Sequence, residues 1–384
     1  MKKIAVVIPK YGVVGGAEQF VAELTENLRM LNSYDYFVYA NRWRTSSATM
    51  KFHKVPIITL PKFLTTLSFA YFARCGLANN SFDIVHSHDR IFSADLFTLH
   101  GIPHRYWVRN IRRKKMSLYD AATSWMEKKM IEDGGCYKFI AVSELTKKIF
   151  LEEYPIDPEK VAVIHPGVHL KDFTVFDRAA VRAETRKIYG IPADEPVLIF
   201  ASMNFEIKGL DYIMNSLSVL KSEGHLFRLI IAGKGNKRKY ARLAYKTGIA
   251  ENIIFTGRLD KKNLIRHYLA ADMYIMLSAF DTFGMVVLEA MAAGLPVIIS
   301  GNVGAKDLVE EGINGLIIDD PANYNATARK INLLFDRNIR EKMAASALQT
   351  AAGHTWEKTA AKYDDIYTGI MEMKTRMRRG QTRQ

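Results

Sequence analysis

Two carboxylates beside a predicted helix start are the strongest chemical signal in this sequence. In SAFDTFGMVVLEAMAAGLPVIIS, Asp281 follows the apolar run MYIMLS, and Thr282 is placed to begin the next helix. The first amides of that helix, at Phe283 and Gly284, would be open to a diphosphate, because the first turn of a helix has unpaired N–H groups. Glu289 lies eight residues after Asp281, about 12 Å along a helix axis. The two carboxylates could therefore bind hydroxyl groups at both ends of one ligand; taken alone, they could also be a helix cap and a solvated Glu.

Glycine-bearing turns provide a second kind of anion site. In YGVVGGAEQFVAELTENL, Gly15 and Gly16 follow the first apolar run and precede an amphipathic pattern. Glycines let a backbone approach a ligand closely, and a helix start offers N–H groups to a phosphate. The pattern lacks the full dinucleotide fingerprint, and so does the later GKG at Gly233, because Arg238 stands where the third glycine is needed. An NAD-linked enzyme is therefore disfavoured.

Single residues near the ends of other apolar runs are candidate catalytic groups. Lys208 precedes Gly209 and a predicted helix, so its ammonium group could neutralise a phosphate, although a surface lysine is the plainer interpretation. His100 lies in the run LFTLHG and His88 in DIVHSH, and each could line a site or be a hydrogen-bonded histidine at a strand end. No cluster of His, Asp or Glu has metal-ligand spacing, so we expect a reaction without a bound metal or cofactor.

The elements that must position these residues follow from an alternation of short apolar runs with helical patterns, which is typical of parallel α/β sheets. The runs are KKIAVVI, DYFVYA, DIVHSH, LFTLHG, KFIAVS and VAVIHPG in the first half, and PVLIFAS, FRLIIAG, NIIFTG, MYIMLS, LPVIIS and GLIID in the second. They predict two doubly wound, Rossmann-like domains at residues 1–172 and 173–355, followed by a helix and a basic tail at 356–384. Because open sheets bind ligands at the carboxyl ends of their strands, we expect the site in a deep cleft between the domains.

Composition and charge narrow the class of protein. The chain has 384 residues, of which 48% are hydrophobic and 24% charged, and a formal net charge of +14; two globular domains that attract phosphate-rich partners are expected. The only cysteines, Cys75 and Cys136, form no disulfide framework and fit a reducing compartment. The apolar run at residues 4–8 is too short for a signal peptide, and no segment reaches the roughly 18 apolar residues of a membrane-spanning helix. We expect a cytoplasmic protein that touches a membrane surface.

Two acid-free basic segments are candidates for contact with an anionic partner. Residues 36–82 contain six Lys and Arg, mixed with LPKFLTTLSFAYF, and no Asp or Glu. The second segment, HRYWVRNIRRKKM, combines aromatic residues with the cations Arg105, Arg109, Arg112, Arg113, Lys114 and Lys115. Basic residues interleaved with aromatics suit an anionic membrane surface or a phosphorylated glycolipid equally well. An ordinary solvated face is the alternative.

The order and spacing of several motifs resemble the family 4 retaining glycosyltransferases. Their E-x7-E region is similar to the segment from Asp281 to Glu289, with Asp in place of the first Glu. The resemblance extends over nearly the whole chain through GGAE, TLHG, HPGV, the pair of Lys208 and Gly209, FTGRL and EAMAAGLPVI. It implies the GT-B fold, a C-terminal helix that crosses back to the N-terminal domain, and a nucleotide-sugar donor.

The resemblance also implies a role for each matching residue. Glu289 would hold the ribose hydroxyls and Asp281 those of the donor sugar. Lys208 would neutralise the diphosphate, and His100 would lie near the anomeric carbon. The other expected donor-binding positions are Gly15 and Gly16 beside the sugar and phosphates, Gly257, Arg258 and Leu259 beside the base, and Phe283 and Gly284 at the helix start.

One departure from the family pattern concerns the second phosphate cation. The family usually has an Arg five residues before the Lys, where this chain has Met203, so Arg258, Lys234 and Lys237 remain as candidates. The second basic segment falls where lipopolysaccharide-core glucosyltransferases of this family touch the membrane. The resemblance therefore implies transfer of a hexose, most simply glucose from its UDP-sugar, to an acidic glycan or glycolipid such as the lipopolysaccharide inner core, by a peripheral protein at the cytoplasmic face of an anionic membrane.

Other classes of protein fit part of the pattern. A nucleic-acid binder would use the charge of +14 and the basic segments, but no known nucleic-acid module is present, and we expect no such partner. A sugar-nucleotide epimerase of the same architecture would need no acceptor. An inactive binding module is disfavoured while Lys208 and Glu289 are both present.

Overall fold

The computed structural model describes residues 1–13, 15–31, 34–45 and 49–381. They form two compact units, Met1–Gly167 with Trp356–Gln384, and Val168–Thr355. The second unit therefore lies, in sequence, inside the first. The predicted boundary at residue 172 falls just inside the second unit, because Val168 forms a parallel bridge with Thr355. Residues 382–384 of the predicted basic tail lie outside the described residues.

A parallel sheet of seven strands forms the centre of the first unit. The strands of this unit are β1 (Lys3–Val7), β2 (Lys10–Tyr11), β3 (Asp35–Ala40), β4 (Arg42–Trp43), β5 (Lys51–Lys54), β6 (Ile84–Ser87), β7 (Leu96–Leu99), β8 (Lys138–Ala141) and β9 (Val161–Val163). The sheet has the order β5-β3-β1-β6-β7-β8-β9, and β2 pairs separately with β4. Six of its strands coincide with the predicted apolar runs, which are apolar because parallel strands are covered on both faces. β5 is missing from the prediction, since KFHK is a mostly exposed edge strand without an apolar run.

Helices connect these strands and cover the sheet. They are α1 (Gly16–Leu31), α2 (Leu64–Ala78), α3 (His104–Tyr106), α4 (Leu118–Asp133) and α5 (Glu144–Glu153). A short π-helix, Trp107–Ile111, follows α3 directly. The core between sheet and helices includes Phe69, Phe139 and Phe150, all almost fully buried.

The second unit is built on a parallel sheet of six strands. They are β10 (Val197–Ser202), β11 (Arg228–Gly233), β12 (Ile253–Gly257), β13 (Met273–Met276), β14 (Val297–Ser300) and β15 (Gly315–Ile318), in the order β12-β11-β10-β13-β14-β15. All six apolar runs predicted for this half are confirmed as strands. The α/β class and the two doubly wound, Rossmann-like domains are therefore confirmed.

Eight helices of the second unit surround this sheet within the described residues. They are α6 (Lys171–Thr174), α7 (Arg178–Ile188), α8 (Leu210–Ser222), α9 (Lys237–Lys246), α10 (Lys261–Ala270), α11 (Met285–Ala292), α12 (Tyr324–Leu333) and α13 (Arg337–Gly353). Across both units, none of the described helices is long and apolar enough to cross a membrane.

The last helix, α14 (Trp356–Gln381), completes the core of the first unit. The Tyr367 hydroxyl lies 2.8 Å from His86 Nδ1, and the Tyr363 hydroxyl lies 3.1 Å from Thr98 Oγ1. All four side chains are buried. Polar groups removed from water need such partners, so the helix satisfies hydrogen bonds that β6 and β7 leave open.

Candidate active site

Each sheet changes its winding direction at one point, and open α/β sheets bind ligands there, at the carboxyl ends of the strands. In the first sheet this switch point lies between β1 and β6, and in the second it lies between β10 and β13. Predicted site residues follow these strands: His88 comes directly after β6, Lys208 lies in the loop after β10, and Asp281 in the loop after β13. The topology therefore places the chemical residues of each unit at its own switch point.

Lys208 and Asp281 form an ion pair at the switch point of the second sheet. Lys208 Nζ donates to Asp281 Oδ2, although the residues are 73 positions apart. Their loops are also joined, because the Ile207 carbonyl accepts from the Ala279 N–H at 2.8 Å and from the Ser278 hydroxyl at 3.0 Å. Side-chain exposures of 20% for Lys208 and 17% for Asp281 leave both groups within reach of a ligand.

Gly209 fixes the direction in which the chain leaves Lys208 and enters α8. Its φ is +74°, and a Cβ at this position would overlap the carbonyl oxygen of Leu277. A residue without a side chain is needed for so close a backbone approach. Gly209 is also the N-cap residue of α8. α8 therefore begins two residues after Lys208, and the N-terminus of a helix adds positive potential.

Replacing Gly209 with Ala is expected to destabilise the second unit by about 2 to 4 kcal/mol, because the left-handed φ and the overlap with Leu277 both cost free energy. Gly248→Ala is a matched control, since Gly248 has a φ of +72° and no atom within 4 Å of an added Cβ. It is expected to cost only about 1 kcal/mol. Urea unfolding followed by circular dichroism measures the difference, and equal losses would contradict a role for the close approach.

The helix after Asp281 begins later than predicted. α11 starts at Met285 with Gly284 as its N-cap residue, so the expectation that Thr282 begins the helix is wrong. Phe283 lies outside the helix, and its N–H donates to Asp281 Oδ1 at 3.3 Å, so this amide is not open as expected. The cause is the left-handed conformation of Gly284, with φ of +90°, which separates the Asp281 loop from the helix.

Glu289 lies within α11 and is half-buried. Its Oε2 accepts a hydrogen bond from the Tyr268 hydroxyl at 3.4 Å. Burial raises the pKa of the Glu289 carboxyl above its usual value, while the charge of Lys261 and the Tyr268 hydrogen bond oppose the rise. The expected spacing of two carboxylates along one helix axis is wrong, because Asp281 precedes the helix. A partly desolvated carboxylate remains a strong acceptor for ligand hydroxyl groups.

Two charged residues beside Glu289 escaped the sequence analysis. Lys261, the first residue of α10, forms an ion pair with Asp172 of α6, with Nζ and Oδ2 2.6 Å apart. Their charges act on the pKa of Glu289 in opposite directions, which places both near its carboxylate. No motif signals this pair, because its members lie far apart in the sequence.

The predicted base-binding stretch forms a surface turn. Gly257 ends β12 with a φ of +73°, Arg258 is exposed and Leu259 is half-buried. Lys234 and Lys237 are also exposed. The roles of these residues beside a base or a second phosphate stay predictions.

Three histidines meet at the switch point of the first sheet. His88 Nδ1 lies 2.9 Å from His100 Nε2, and the ring centroids of His86 and His88 are 3.9 Å apart. His86 is held by Tyr367 and Thr98, each 2.8 Å from one of its ring nitrogens. His100 therefore contacts the imidazole of His88, and His88 in turn packs against the imidazole of His86.

Burial keeps these imidazoles neutral. It lowers the pKa of His100 to about 3 and those of His86 and His88 well below 6.5. The neighbouring imidazoles lower the pKa values of His86 and His88 further. His100 can therefore make hydrogen bonds to a ligand, but it does not carry a proton to donate as an acid near neutral pH.

The glycines after β1 differ in whether their surroundings and backbone angles leave room for a side chain. Gly16 begins α1, and no atom lies within 4 Å of a Cβ built on it, so the space beside this helix start is open. A Cβ at Gly15 would meet only the flexible side chain of Glu18. Gly15 has a φ of +157° and Gly12 a φ of +62°, so both backbones disfavour a side chain, and at Gly12 a Cβ would also overlap the Arg44 carbonyl oxygen. The predicted glycines, Gly15 and Gly16, did not include Gly12.

A cavity of about 230 Å³ opens beside the histidines within the first unit. His88 and His100 line it together with Asp89, Arg90 and Glu127. Arg90 is fixed between two acids, 2.6 Å from Glu127 and 3.4 Å from Asp89. Hydrogen-bonding groups of both signs thus face a space suited to a hydroxyl-rich ligand. In the described parts of the chain, no group of three or more His, Cys, Asp and Glu is placed to bind a metal ion.

The basic segment, residues 104–116, lies on the surface of the first unit. Five of its six cations line one open cavity: Arg105, Arg109, Arg113, Lys114 and Lys115. Arg112 differs from them, since it lies 3.3 Å from Asp120 and is held against α4. The structure therefore brings five of the six predicted contacts for an anionic partner together.

Comparison with known proteins agrees with this division of the chain. The model described as Glycosyltransferase Family 4 matches residues 14–172, and the model described as Glycosyl transferases group 1 matches residues 181–350. Over 247 residues the chain is 31% identical to D-inositol 3-phosphate glycosyltransferase of Thermobispora bispora. That match covers 61% of this chain and 56% of the relative, so the chain spans about half the length of this relative.

Solved structures share the fold at low sequence identity. WaaG, described as a glycosyltransferase involved in lipopolysaccharide biosynthesis, superposes with a TM-score of 0.80 and 20% identity, over 95% of this chain and 100% of that one. Anabaena HepE in complex with UDP-glucose superposes with a TM-score of 0.73 and 17% identity, over 96% and 100%. Since the two family models account for most of both units, the chain belongs to the glycosyltransferases of the GT-B fold, with a Family 4 N-terminal domain and a group 1 C-terminal domain.

Proposed function

We propose that the protein transfers a hexose from a UDP-sugar to an anionic glycolipid, with retention of the anomeric configuration. The observation that carries the proposal is the ion pair of Lys208 and Asp281 beside the starts of α8 and α11 at the switch point of the second sheet. A cation and helix N-termini stabilise a diphosphate, and a carboxylate binds sugar hydroxyls. HepE shares the fold, and its structure is described in complex with UDP-glucose, which supports UDP-glucose as the donor.

In this proposal Lys208, Asp281 and Glu289 each contact a different part of the donor. Lys208 exchanges its contact with Asp281 for the diphosphate, and Asp281 then accepts hydrogen bonds from the donor sugar. Glu289 accepts hydrogen bonds from the ribose. As the bond between the anomeric carbon and the phosphate oxygen breaks, Lys208 and the helix amides stabilise the charge that develops on the leaving diphosphate. They supply the positive charge that a metal ion would otherwise supply, and the proposal includes no bound metal.

Retention follows if the acceptor attacks from the face that the leaving group vacates. The acceptor oxygen forms its bond to the anomeric carbon, and the departing phosphate oxygen accepts the acceptor's proton. This route needs no carboxylate as a nucleophile. His100, Gly15 and Gly16 are the residues of the first unit that we propose to take part, with His100 as a neutral hydrogen-bonding group.

The acceptor is proposed to bind to the first unit at the basic segment, with the protein peripheral to an anionic, cytoplasm-facing membrane. The five cations of the open cavity would attract both the acceptor and the lipid surface. WaaG is described as involved in lipopolysaccharide biosynthesis, and the relative from Thermobispora bispora is named for D-inositol 3-phosphate. We propose a lipopolysaccharide core glycolipid as the acceptor and use inositol 3-phosphate as the comparison compound.

A thermal-shift panel of UDP- and GDP-sugars tests the proposed donor. UDP-glucose is expected to raise the Tm most. Glu289→Gln is expected to weaken UDP-glucose binding by about tenfold or more, because the charged acceptor for the ribose hydroxyls is lost. Glu341→Gln is the control, since Glu341 is an exposed residue of α13 paired with Arg337 at 2.7 Å.

Product analysis follows with the best donor and each acceptor. NMR of the product is expected to show the anomeric configuration of the donor. Absence of binding by every nucleotide sugar would contradict the proposal. So would conversion of the donor alone into an isomeric sugar, because that result identifies an epimerase.

A further inference from the structure

The cavity in the basic segment has an unusual lining. Its volume is about 470 Å³, within the range of about 300 to 1,000 Å³ that is usual for ligand sites. Five cationic side chains line it, exposed Met116 is its accessible apolar side chain, buried Val108 lies behind them, and no acidic residue takes part. A surface that only touches a flat membrane needs charge but no concavity.

The backbone is folded to form this concavity. The π-helix follows α3 and is closed by the Arg112 N–H, which donates to the Trp107 carbonyl at 2.9 Å. The chain then turns back, and the Lys114 N–H donates to the Val108 carbonyl at 3.2 Å. Arg113 makes the turn with a φ of +50°, and no other non-glycine residue in the described ranges has a positive φ. π-Helical turns and left-handed residues without a glycine are both enriched at functional sites.

Two buried acids of α4 hold the basic segment in place through hydrogen bonds and ion pairs. Asp120 lies 2.8 Å from His104 Nε2 and also pairs with Arg112 at 3.3 Å. Glu127 accepts a hydrogen bond from the His104 N–H at 2.9 Å. These two acids are buried and hydrogen-bonded, so they hold the segment without entering the cavity.

Few acidic groups lie near the cations that line the cavity. Arg109 lies 3.6 Å from Glu153. No acidic oxygen among the described residues lies within 4.0 Å of the other four: Arg105, Arg113, Lys114 and Lys115. Like charges held this close repel one another, and a bound anion with more than one negative charge removes that repulsion. Guanidinium groups match phosphate oxygens geometrically, because their N–H donors form a planar fork.

We propose that this cavity binds a phosphate monoester attached to a sugar, and that this group is the part of the acceptor that the protein recognises. The inference rests on the proposed glycosyl transfer and narrows its acceptor to a phosphorylated sugar. The dianionic phosphate contacts the arginine and lysine side chains, and the carbon skeleton of the sugar lies against the exposed side chain of Met116.

Isothermal titration with glucose 6-phosphate tests the inference, with glucose and glucuronate as comparison ligands. Saturating UDP is present throughout, so that the nucleotide site is occupied. Glucose 6-phosphate is expected to bind more tightly than glucuronate by about tenfold or more, because a dianion meets several cations, and more weakly as salt is added. Glucose, which has no charge, is expected not to bind measurably.

Charge-removing variants locate the site. The double variant Arg113→Gly with Lys115→Ala is expected to lower the affinity for glucose 6-phosphate by about tenfold or more. Glycine suits the left-handed backbone at position 113, so the fold is preserved. The matched control is Lys128→Ala with Lys129→Ala, which removes the same charge from exposed positions of α4 where each lysine pairs with an acid one turn later. This control is expected to keep the affinity within about twofold.

Three results would overturn the inference: equal binding of glucuronate and glucose 6-phosphate, equal losses in the two double variants, or no binding of glucose 6-phosphate at all. Vesicles of phosphatidylglycerol and phosphatidylcholine provide a further arm. If the cavity variant loses only its binding to anionic vesicles, the cavity serves membrane docking and the phosphate site is wrong. UDP binding, measured first, is independent of all these results, so failure of the proposed transfer is recognised separately.

Discussion

Replacing Lys208 with Ala is expected to weaken UDP-sugar binding by about 10- to 100-fold and to lower kcat by about 100- to 1,000-fold. The ammonium group of Lys208 is placed against Asp281 at the switch point of the second sheet, where we propose that the diphosphate binds. Its loss removes one charged hydrogen bond in the bound state and a larger stabilisation when the leaving group gains charge. Titration calorimetry with UDP and product formation with UDP-glucose measure the two effects separately.

Lys330→Ala is the matched control for this variant. Lys330 lies in the second unit and also pairs with an acid, Glu311, at 2.7 Å. Its Nζ also donates to the Ile317 carbonyl of β15, a strand three places away from β10 in the sheet. It is expected to leave UDP affinity and kcat within about twofold of the unsubstituted protein. If Lys208→Ala behaved like this control, Lys208 would not bind the diphosphate and the proposed donor site would be wrong.

Acidification below about pH 6.5 is expected to destabilise the first unit steeply. The unfolded chain binds protons on His86, His88 and His100 as the pH falls through 6.5, whereas burial keeps all three neutral in the folded unit. Stability is therefore complete above pH 6.5 and is lost as the pH falls toward the folded pKa values, about 3 for His100. Each histidine contributes a slope of about 1.4 kcal/mol per pH unit, so the three lower the free energy of unfolding by about 4 kcal/mol near pH 5.5.

Urea unfolding followed by tryptophan fluorescence measures this slope for the first unit alone, because all four tryptophans, Trp43, Trp107, Trp125 and Trp356, belong to it. His86→Gln is expected to reduce the slope by about one proton, whatever it does to stability at pH 8. His53→Gln is the control for the substitution itself, since His53 is exposed at the edge strand β5, and it is expected to change the free energy of unfolding at pH 8 by less than about 0.5 kcal/mol. A flat free energy of unfolding between pH 7 and 5.5 would contradict buried neutral imidazoles.

Much of the fold could be predicted because buried parallel strands have continuous apolar sequences. VLIFAS and RLIIAG, for example, are buried along almost their whole length and are recognisable without any knowledge of their neighbours. The edge strand KFHK escaped prediction because it is short, pairs only with β3 and has largely exposed side chains. The pairing of β10 with β13, which creates the switch point, is a tertiary fact that no local pattern specifies.

The candidate site was predictable only where single residues carry the signal. Asp281, Glu289 and Lys208 were identified through motifs, but their motifs do not show that Lys208 donates to Asp281. The start of α11 was placed too early, because the preference of Thr for N-cap positions was outweighed by the left-handed turn at Gly284. The partnership of His88 with His100 depends on the pairing of β6 with β7, which the sequence does not state.

The position of α14 at the end of the first unit determines when this unit can be completed during synthesis. A ribosome synthesises all of residues 168–355 before it makes the helix that supplies Tyr363 and Tyr367. Until that helix emerges, His86 and Thr98 lack the hydroxyl groups that hydrogen-bond to them in the finished protein. The N-terminal unit is therefore completed last during translation. Cleavage within α14 would disturb the packing of this unit, although most of the unit comes from the other end of the sequence.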